Sequence, residues 1–380
     1  MRQLTEEQRM LLDMVRELAQ EKIAPRAAEI DQSAEYPWDV KDALAKLDLL
    51  ALPFPEEYGG TGTDLLTICM VIEEIAKVCA TSALIIATQT LGSLPISLAG
   101  TPEQKQRFFP RLASGEWIAA FAITEPGAGS DAAAMRTRAV LDGDSYVLNG
   151  SKHFITNAGI AHVNTVVAMT DPTKGVKGLS AFIVESDRPG FSVGKIEHKM
   201  GIRGSRTGEL VFSDCRIPVT NLLGKEGDGF KIAMMTLDRS RPEVAAQALG
   251  IAQGALDYAC RYAKERVQFG GPIANLQAIQ FMLADMAMQI EASRLLVYQA
   301  AAAVDHGDKN ITMLSAMAKC FAGDTAMRVT VDALQVLGGY GYMTEYPLER
   351  MMRDAKITQI YEGTNQIQRL VIARNLLNQY

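Results

Sequence analysis

The sequence predicts an α+β protein in three parts: an N-terminal helical domain over 1–116, a central antiparallel β-domain over 117–228 and a C-terminal four-helix bundle over 229–380. Three observations carry this prediction. Apolar residues recur at helical spacing through the N-terminal part. Between Trp117 and Cys215 they give way to short runs rich in β-branched residues, separated by turn pairs. After Gly229 the helical period returns and lasts to the end of the chain.

Element by element, Thr5 and Gln8 have capping-box spacing, and Leu11, Leu12, Val15, Leu18 and Ala19 repeat at helical period until Pro25. A second helix fits Val40 to Leu49, and the stretch from Pro53 to Gly62 is dense in turn residues. Asp64 starts a third helix through Leu65, Ile68, Val71, Ile72 and Ile75, and an apolar stretch follows from Ala83 to Leu98. Thr101-Pro102-Glu103-Gln104 repeats the capping signal with proline at the first helical position. In the β-region, Asp142-Gly143 and Asn149-Gly150 each separate two alternating runs, which reads as two hairpin turns. Strands are expected over Val163 to Met169, Leu179 to Glu185 and Glu209 to Phe212. None is followed by a helix of crossover length, which argues against a parallel dinucleotide-binding sheet. Long helices fit Val244 to Gln268, Asn275 to Asp305, Thr312 to Leu337 and Asn365 to Leu377, interrupted by Gly338-Gly339-Tyr340-Gly341.

Composition narrows the function. A formal charge of −6 argues against a nucleic-acid binder. No uninterrupted apolar run has the length of a membrane span, so no membrane insertion is expected. The early acids Glu6 and Glu7 argue against a secretory leader, and a cytoplasmic location is expected, with a mature mitochondrial matrix form as the alternative. The five cysteines are scattered and form no CxxC pair, and are read as small buried hydrophobes in a reducing compartment. The four histidines show no metal-ligand spacing, so no metal site is expected.

Three segments bear chemistry. Thr124-Glu125-Pro126-Gly127-Ala128-Gly129-Ser130-Asp131 combines glycines, which let a ligand approach the backbone, with two hydroxyls; as a bare pattern it is also an ordinary turn. Ile360-Tyr361-Glu362-Gly363-Thr364-Asn365 sets an acid in an apolar context before the N-cap Thr364. Desolvation there raises a carboxyl pKa and makes a competent base, although an acid at this point also suits a helix dipole. Arg266 with Gln268-Phe269-Gly270 closes a long helix, where arginine favours the C-terminal dipole in any case.

Taken together with NGSKHFITNAG (149–159), LDRSRPEVAAQALGIAQ (237–253), QVLGGYGY (335–342) and MRDAKITQIYEGTNQIQR (352–369), these segments resemble the acyl-CoA dehydrogenase family over essentially the whole chain. The resemblance implies the helix–sheet–helix fold of that family, FAD as cofactor and a homotetramer, a dimer of dimers. Carried over by motif, Phe121, Ile123, Thr124, Gly129 and Ser130 line the flavin and the start of the CoA arm. Phe154, Ile155 and Thr156 pack on the isoalloxazine face, with Phe154 standing where many members have tryptophan. Arg266, Phe269 and Gln277, with Gln335, Gly338 and Gly339, reach the FAD of another subunit, and Thr364 and Gln366 complete that site. Ser130, Asp238, Arg241, Tyr361 and Gly363 form the substrate side. Asp238 and Arg241, three residues apart, also suit an intrahelical ion pair.

The resemblance further implies that Glu362 removes the α-proton of an acyl-CoA. Its backbone N–H would serve the developing enolate, the flavin would take the β-hydrogen as hydride, and an electron-transferring flavoprotein would accept the electrons. Some relatives carry the base on the helix of Asp238 to Pro242; here that position is Ser240, which cannot serve. Glu243, where relatives tend to be apolar, is read as a solvated helix face, with pocket lining as the alternative. The alkyl pocket is expected along Leu84 to Leu94 and at Tyr361; it has neither an arginine for a second carboxylate nor an acid, and Ala87, Thr88 and Thr90 are small. The 237–253 block resembles medium-chain members and Phe154 short-chain ones, so the resemblance leaves a straight short- or medium-chain acyl group and a compact cyclic one, such as cyclohexanecarboxyl, both open. An acyl-CoA oxidase is the rival enzyme class, set aside because its members usually have longer chains.

Overall fold

Thr5 opens the first helix, its hydroxyl accepting from the Gln8 N–H while the Gln8 side chain accepts from the Thr5 N–H, in a computed structural model that describes residues 4–380. This reciprocal cap leads into α1 (Glu6–Leu18), which turns through a π-helical and a 3-10 segment at Pro25 into α2 (Ala27–Ser33). Then come α3 (Trp38–Lys46), α4 (Leu65–Ala76), α5 (Ala80–Ala99) and α6 (Pro102–Ala113), the last with the expected second capping box at Thr101 and Gln104. By length and composition α5 is apolar enough to cross a bilayer, against the reading of the sequence. Its apolarity has another cause here, since 72% of that window is buried inside the fold.

The sheet comprises β1 (Ala119–Ala122), β2 (Arg138–Asp142), β3 (Ser145–Thr156), β4 (Val163–Met169), β5 (Leu179–Glu185), β6 (Phe191–Ile196), β7 (Thr207–Pro218) and β8 (Leu222–Leu223). Its order is β6-β7-β3-β2-β4-β5-β8, with β1 joined to β4. Most pairings are antiparallel, but β1 runs parallel to β4 from Ala119↔Val163 to Ala122↔Val166, and β2 meets β4 in parallel at Arg138↔Met169. The sheet is therefore mixed rather than purely antiparallel. The Asp142-Gly143 hairpin forms as expected between β2 and β3. Asn149-Gly150 does not turn: it lies within β3, where the register against β7 shifts between Leu148 and Gly150. Gly150 takes φ 142°, and a side chain there would meet the Thr137 hydroxyl at 2.7 Å. The glycine permits a close strand crossing, which is the other structural use of glycine in a strand.

The chain then enters α7 (Gly229–Glu265), a small ribbon of β9 (Val267–Gln268) and β10 (Gly271–Pro272), and the helices α8 (Gln277–His306), α9 (Ile311–Leu337), α10 (Pro347–Ile357) and α11 (Asn365–Leu377). Two differences from the expected helices matter. Helix α7 starts fifteen positions earlier, at Gly229 rather than Val244, and carries Pro242 inside it. Helix α10, which opens on Pro347, lies where no helix was expected. Among α7, α8, α9 and α11, α9 packs against the other three. Helix α4 leans on α7 and α8, so one apolar core joins the first and last thirds of the chain through Leu66, Ile72, Ala245, Leu249, Val297 and Val329. A second core holds the sheet to α6 and the start of α7, and a third lies between the strands. The cysteines are free; four are buried as expected, while Cys260 is only half-buried.

Candidate active site

The acid singled out in the sequence sits in a turn of unusual backbone. Glu362 has φ 52° and Gly363 φ 91°, two consecutive left-handed residues between α10 and α11. For glutamate this conformation is strained, and it persists only where the surroundings enforce it. Two side chains hold the turn from behind. Fully buried Lys319, on α9, donates to the Gly363 carbonyl at 2.7 Å and to Asn365 Oδ1 at 3.0 Å. Gln368, on α11, donates to the Glu362 and Gly363 carbonyls at 3.2 and 2.9 Å. The Glu362 backbone N–H has no acceptor among the described residues. Thr364 caps α11, its hydroxyl accepting from the Ile367 N–H at 3.2 Å.

The Glu362 carboxyl accepts a hydrogen bond of 2.6 Å from Ser240 Oγ on α7. Burial pushes its pKa above the ordinary carboxylate range, and the Ser240 donor and the cations Arg241 and Lys319 pull it back only in part. Burial in turn lowers Lys319 to about 8, against the attraction of Glu362. Neighbouring Tyr361 donates its hydroxyl to Gln247 Oε1, again on α7. Residues 240 and 247 therefore stand on one face of α7, both tied to the turn that carries the acid. Sequence reasoning gave neither Lys319 nor Gln247 a role and dismissed Ser240 as a base. A lysine amid Ala316, Ala318, Cys320 and Phe321 was the available signal for Lys319, since a cation at such a position must have a partner.

Asp238 and Arg241 form the intrahelical pair, with Nη1 to Oδ1 at 2.6 Å, and Thr312 donates to the other Asp238 oxygen at 2.6 Å. Arg241 is buried and its Nε has no partner among the described residues. Glu243 overturns the solvated-face reading: it is 1% exposed, and neither carboxyl oxygen has a hydrogen-bond partner among the described residues. On α5, Thr88 and Thr90 donate to the Leu84 and Ile86 carbonyls of their own helix, at 2.8 and 3.2 Å.

The remaining predicted residues fall into two groups. In the first, the Thr124 carbonyl accepts from the His153 N–H at 2.8 Å, which ties the glycine-rich segment to β3. Beneath it, Lys152 Nζ lies 2.8 Å from Glu125, whose carboxylate also accepts from the Arg136 and Thr137 N–H groups at 2.7 and 2.9 Å. Burial raises the Glu125 carboxyl, but the Lys152 charge and these donors outweigh it and hold the group below its usual range. Phe121 is buried, Ile123 and Thr124 half-buried, and Gly129 and Ser130 exposed. On β3 the alternation separates the flavin candidates: Phe154 is 61% exposed at φ 57°, Ile155 turns into the interstrand core, and Thr156 is half-buried.

The second group is a cleft of ≈ 600 Å³ whose walls include Arg266, Phe269, Gln335, Gly338 and Gly339. Arg266 lies 5.3 Å over the Tyr340 ring and makes no ion pair among the described residues. Phe269 is 93% exposed at φ 51°. Gly338 and Gly339 face open space where side chains would stand. Gln277 and Gln366 are exposed at the first positions of α8 and the first turn of α11, outside the cleft's lining.

The chain matches the profiles described as acyl-CoA dehydrogenase, N-terminal domain, over residues 5–116, middle domain over 120–215 and C-terminal domain over 227–377. It is 54% identical over 378 residues to the cyclohex-1-ene-1-carbonyl-CoA dehydrogenase of Syntrophus aciditrophicus (strain SB), covering 99% of this chain and 91% of that protein. It superposes on butyryl-CoA dehydrogenase from Megasphaera elsdenii with a TM-score of 0.96 at 49% identity, over 99% of both chains. A chain in a solved structure of the electron transferring flavoprotein of Acidaminococcus fermentans gives a TM-score of 0.97 at 52% identity, again over 99% of both chains.

Proposed function

Because the chain belongs to the acyl-CoA dehydrogenase family, we propose that it performs the FAD-dependent α,β-dehydrogenation of a short-chain acyl-CoA to the trans-2-enoyl-CoA, with Glu362 as the base. The observation that carries this reading is the Glu362 turn: a carboxyl with raised pKa, held by Ser240, beside a backbone N–H with no other acceptor.

The residues present fit FAD. The cleft at Arg266 offers an uncommitted cation for a pyrophosphate, open backbone at Gly338-Gly339 and the amide side chain of Gln335. Phe154 offers an exposed aromatic face held in a strained conformation. Phe121, Ile123, Thr124, Gly129, Ser130, Phe154, Ile155 and Thr156 would hold the flavin from one subunit, Ile155 through its backbone. Arg266, Phe269, Gln277, Gln335, Gly338 and Gly339 would reach it from another, with Thr364 and Gln366 at the head of α11. Such sharing requires an oligomer, and a dimer of dimers is the assembly proposed. When bound, FAD supplies the acceptor for the β-hydrogen as hydride.

The chain supplies the rest. Ser130, Asp238, Arg241 and Gly363 hold the CoA arm, and Tyr361 and α5 enclose the acyl chain and keep water out. Glu362 removes the α-proton. Its burial makes it basic enough for a weakly acidic C–H, and the Ser240 donor keeps it ionised when the substrate arrives. The Glu362 N–H donates to the thioester oxygen, where charge builds as the proton leaves. Lys319 and Gln368 fix the turn, so acid and N–H keep their relative position.

A straight short chain is favoured by the likeness to butyryl-CoA dehydrogenase. A compact cyclic acyl group is the second reading, favoured by the 54% identity to a cyclohexene-carbonyl-CoA dehydrogenase. An electron-transferring flavoprotein is the proposed electron acceptor, and the cytoplasm the proposed location. Anaerobic bleaching of the purified holoenzyme against linear, branched and cyclic acyl-CoAs tests the reading. Bleaching by butyryl-CoA or a cyclic acyl-CoA supports it; no bleaching by any member of the panel overturns it.

A further inference from the structure

Helix α7 presents a polar stripe to the Glu362 turn, in a stretch that otherwise reads Val244-Ala245-Ala246 and Ala248-Leu249. Ser240, Glu243 and Gln247 follow at i, i+3 and i+7, the spacing of one helix face. Two of the three are satisfied by the turn: Ser240 donates to Glu362, and Gln247 accepts from Tyr361 and donates to the Ala80 carbonyl. The middle one is not. Both Glu243 oxygens lack a partner, although the group is 1% exposed. Thr90, the α5 residue beside it, donates to the Ile86 carbonyl at 3.2 Å, and its hydroxyl stands near enough to the Glu243 carboxyl to draw its pKa down, the smallest of the influences on that group. Burial, and next the charge of Glu362, push Glu243 well above the ordinary carboxylate range. Cys69 of α4, itself raised by burial, also stands near the carboxyl, and no cation among the described residues pulls Glu243 back towards the charged form. Burial thus favours the protonated form of Glu243, which carries one O–H donor and one carbonyl acceptor.

Leaving such a group without a hydrogen bond destabilises a fold, and an apolar residue of similar shape would avoid the cost. We propose that Glu243 is a specificity-determining residue of the acyl pocket, whose carboxyl hydrogen-bonds a hydroxyl or carbonyl group on the distal part of the acyl chain. The proposal rests on the reading of Glu362 as the base at the α-carbon. From Ser240, which holds that base, to Glu243 the helix rises about 4.5 Å, the reach of a few further carbons. A terminal oxygen on a four-carbon acyl chain is the substituent of matching length.

The test compares n-pentanoyl-CoA with 4-hydroxybutyryl-CoA, which differ by one terminal methyl against hydroxyl, on the FAD-loaded oligomer with a dye acceptor. The wild-type ratio of kcat/KM is expected to favour the hydroxy substrate. Glu243→Val should shift that ratio towards pentanoyl-CoA by about tenfold to a hundredfold, while still oxidising pentanoyl-CoA. It should also raise the thermal midpoint of the ligand-free protein, because it removes a buried unpartnered carboxyl. Glu243→Gln, which keeps a donor and an acceptor, should hold the ratio within about threefold of wild type; it remains informative if the valine variant fails to fold. An unchanged ratio in Glu243→Val, or a ratio lost in Glu243→Gln, overturns the proposal. In either case oxidation of pentanoyl-CoA leaves the reading of Glu362 standing, whereas no oxidation of either thioester by wild type removes that reading itself.

Discussion

Replacing Ser240 with alanine isolates one interaction at the proposed base. The hydroxyl lies 2.6 Å from Glu362 Oε2 and stabilises the carboxylate over the acid. A hydrogen bond to a charged group contributes about 1.5–3 kcal/mol, and 1.36 kcal/mol corresponds to one pKa unit. Loss of the donor should therefore raise the Glu362 pKa by about one to two units. The base works only when ionised, so activity rises as pH climbs through this pKa, and a higher pKa moves the acid limb of log kcat/KM to higher pH. The plateau above it should fall far less, because the carboxylate is still present there. The assay is the pH profile of kcat/KM for wild type and Ser240→Ala with a dye acceptor. An acid limb that stays in place, or moves to lower pH, would refute the assignment of Ser240 as the donor that keeps Glu362 ionised.

Arg266→Ala should weaken FAD retention and loosen the oligomer together, because a ligand held between subunits stabilises the assembled state by mass action; gel filtration with flavin absorbance reads both, and a monomer with stoichiometric FAD contradicts it. Lys152→Met breaks the buried pair with Glu125 and leaves a carboxylate with only the Arg136 and Thr137 N–H donors. Denaturant unfolding should show a loss of about 3 kcal/mol, and a change below about 1 kcal/mol would mean that the pair behaves as a surface one. Glu243→Gln should gain stability over wild type as pH rises. Unfolded Glu243 titrates near its ordinary value of about 4.3, while the folded group holds its proton to higher pH. The folded state thus binds more protons in that window, and wild-type stability falls as pH climbs through it. Thermal midpoints of both proteins at pH 4 and pH 8 check this, and a constant difference between them would contradict it.

The capping boxes at Thr5 and Thr101, the Asp142-Gly143 turn, the spans of β4 and β5 and helix α11 follow from rules that act over a few residues. Failures occurred where distant contacts decide. Asn149-Gly150 is a turn signal by composition, yet the Asn149 side chain pairs with Asp214 across the sheet, donating to its Oδ1 at 3.0 Å and accepting from its N–H at 2.8 Å. That long-range anchor keeps the strand going. Helix α7 starts ahead of the expected Val244 and runs through Pro242, although proline inside a helix removes a hydrogen bond; packing against β4, β5 and the N-terminal helices carries the helix through it. At the site, Glu362 was legible because a short motif contains it. Lys319 and Gln247 are 44 and 114 positions from their partners in the turn, and no local pattern announces such contacts. Glu243 was misread because a charged residue on a helix is usually solvated, and only the packing of α4 and α5 over this face excludes water.

The most direct test of Glu362 as the α-proton base is stopped-flow reduction of the flavin in Glu362→Gln under anaerobic conditions. Glutamine keeps the size and the backbone N–H but cannot take a proton, so the variant should retain FAD and bind butyryl-CoA while the reduction rate drops by roughly 10²–10⁴-fold or more. Reduction at a near wild-type rate would contradict the account.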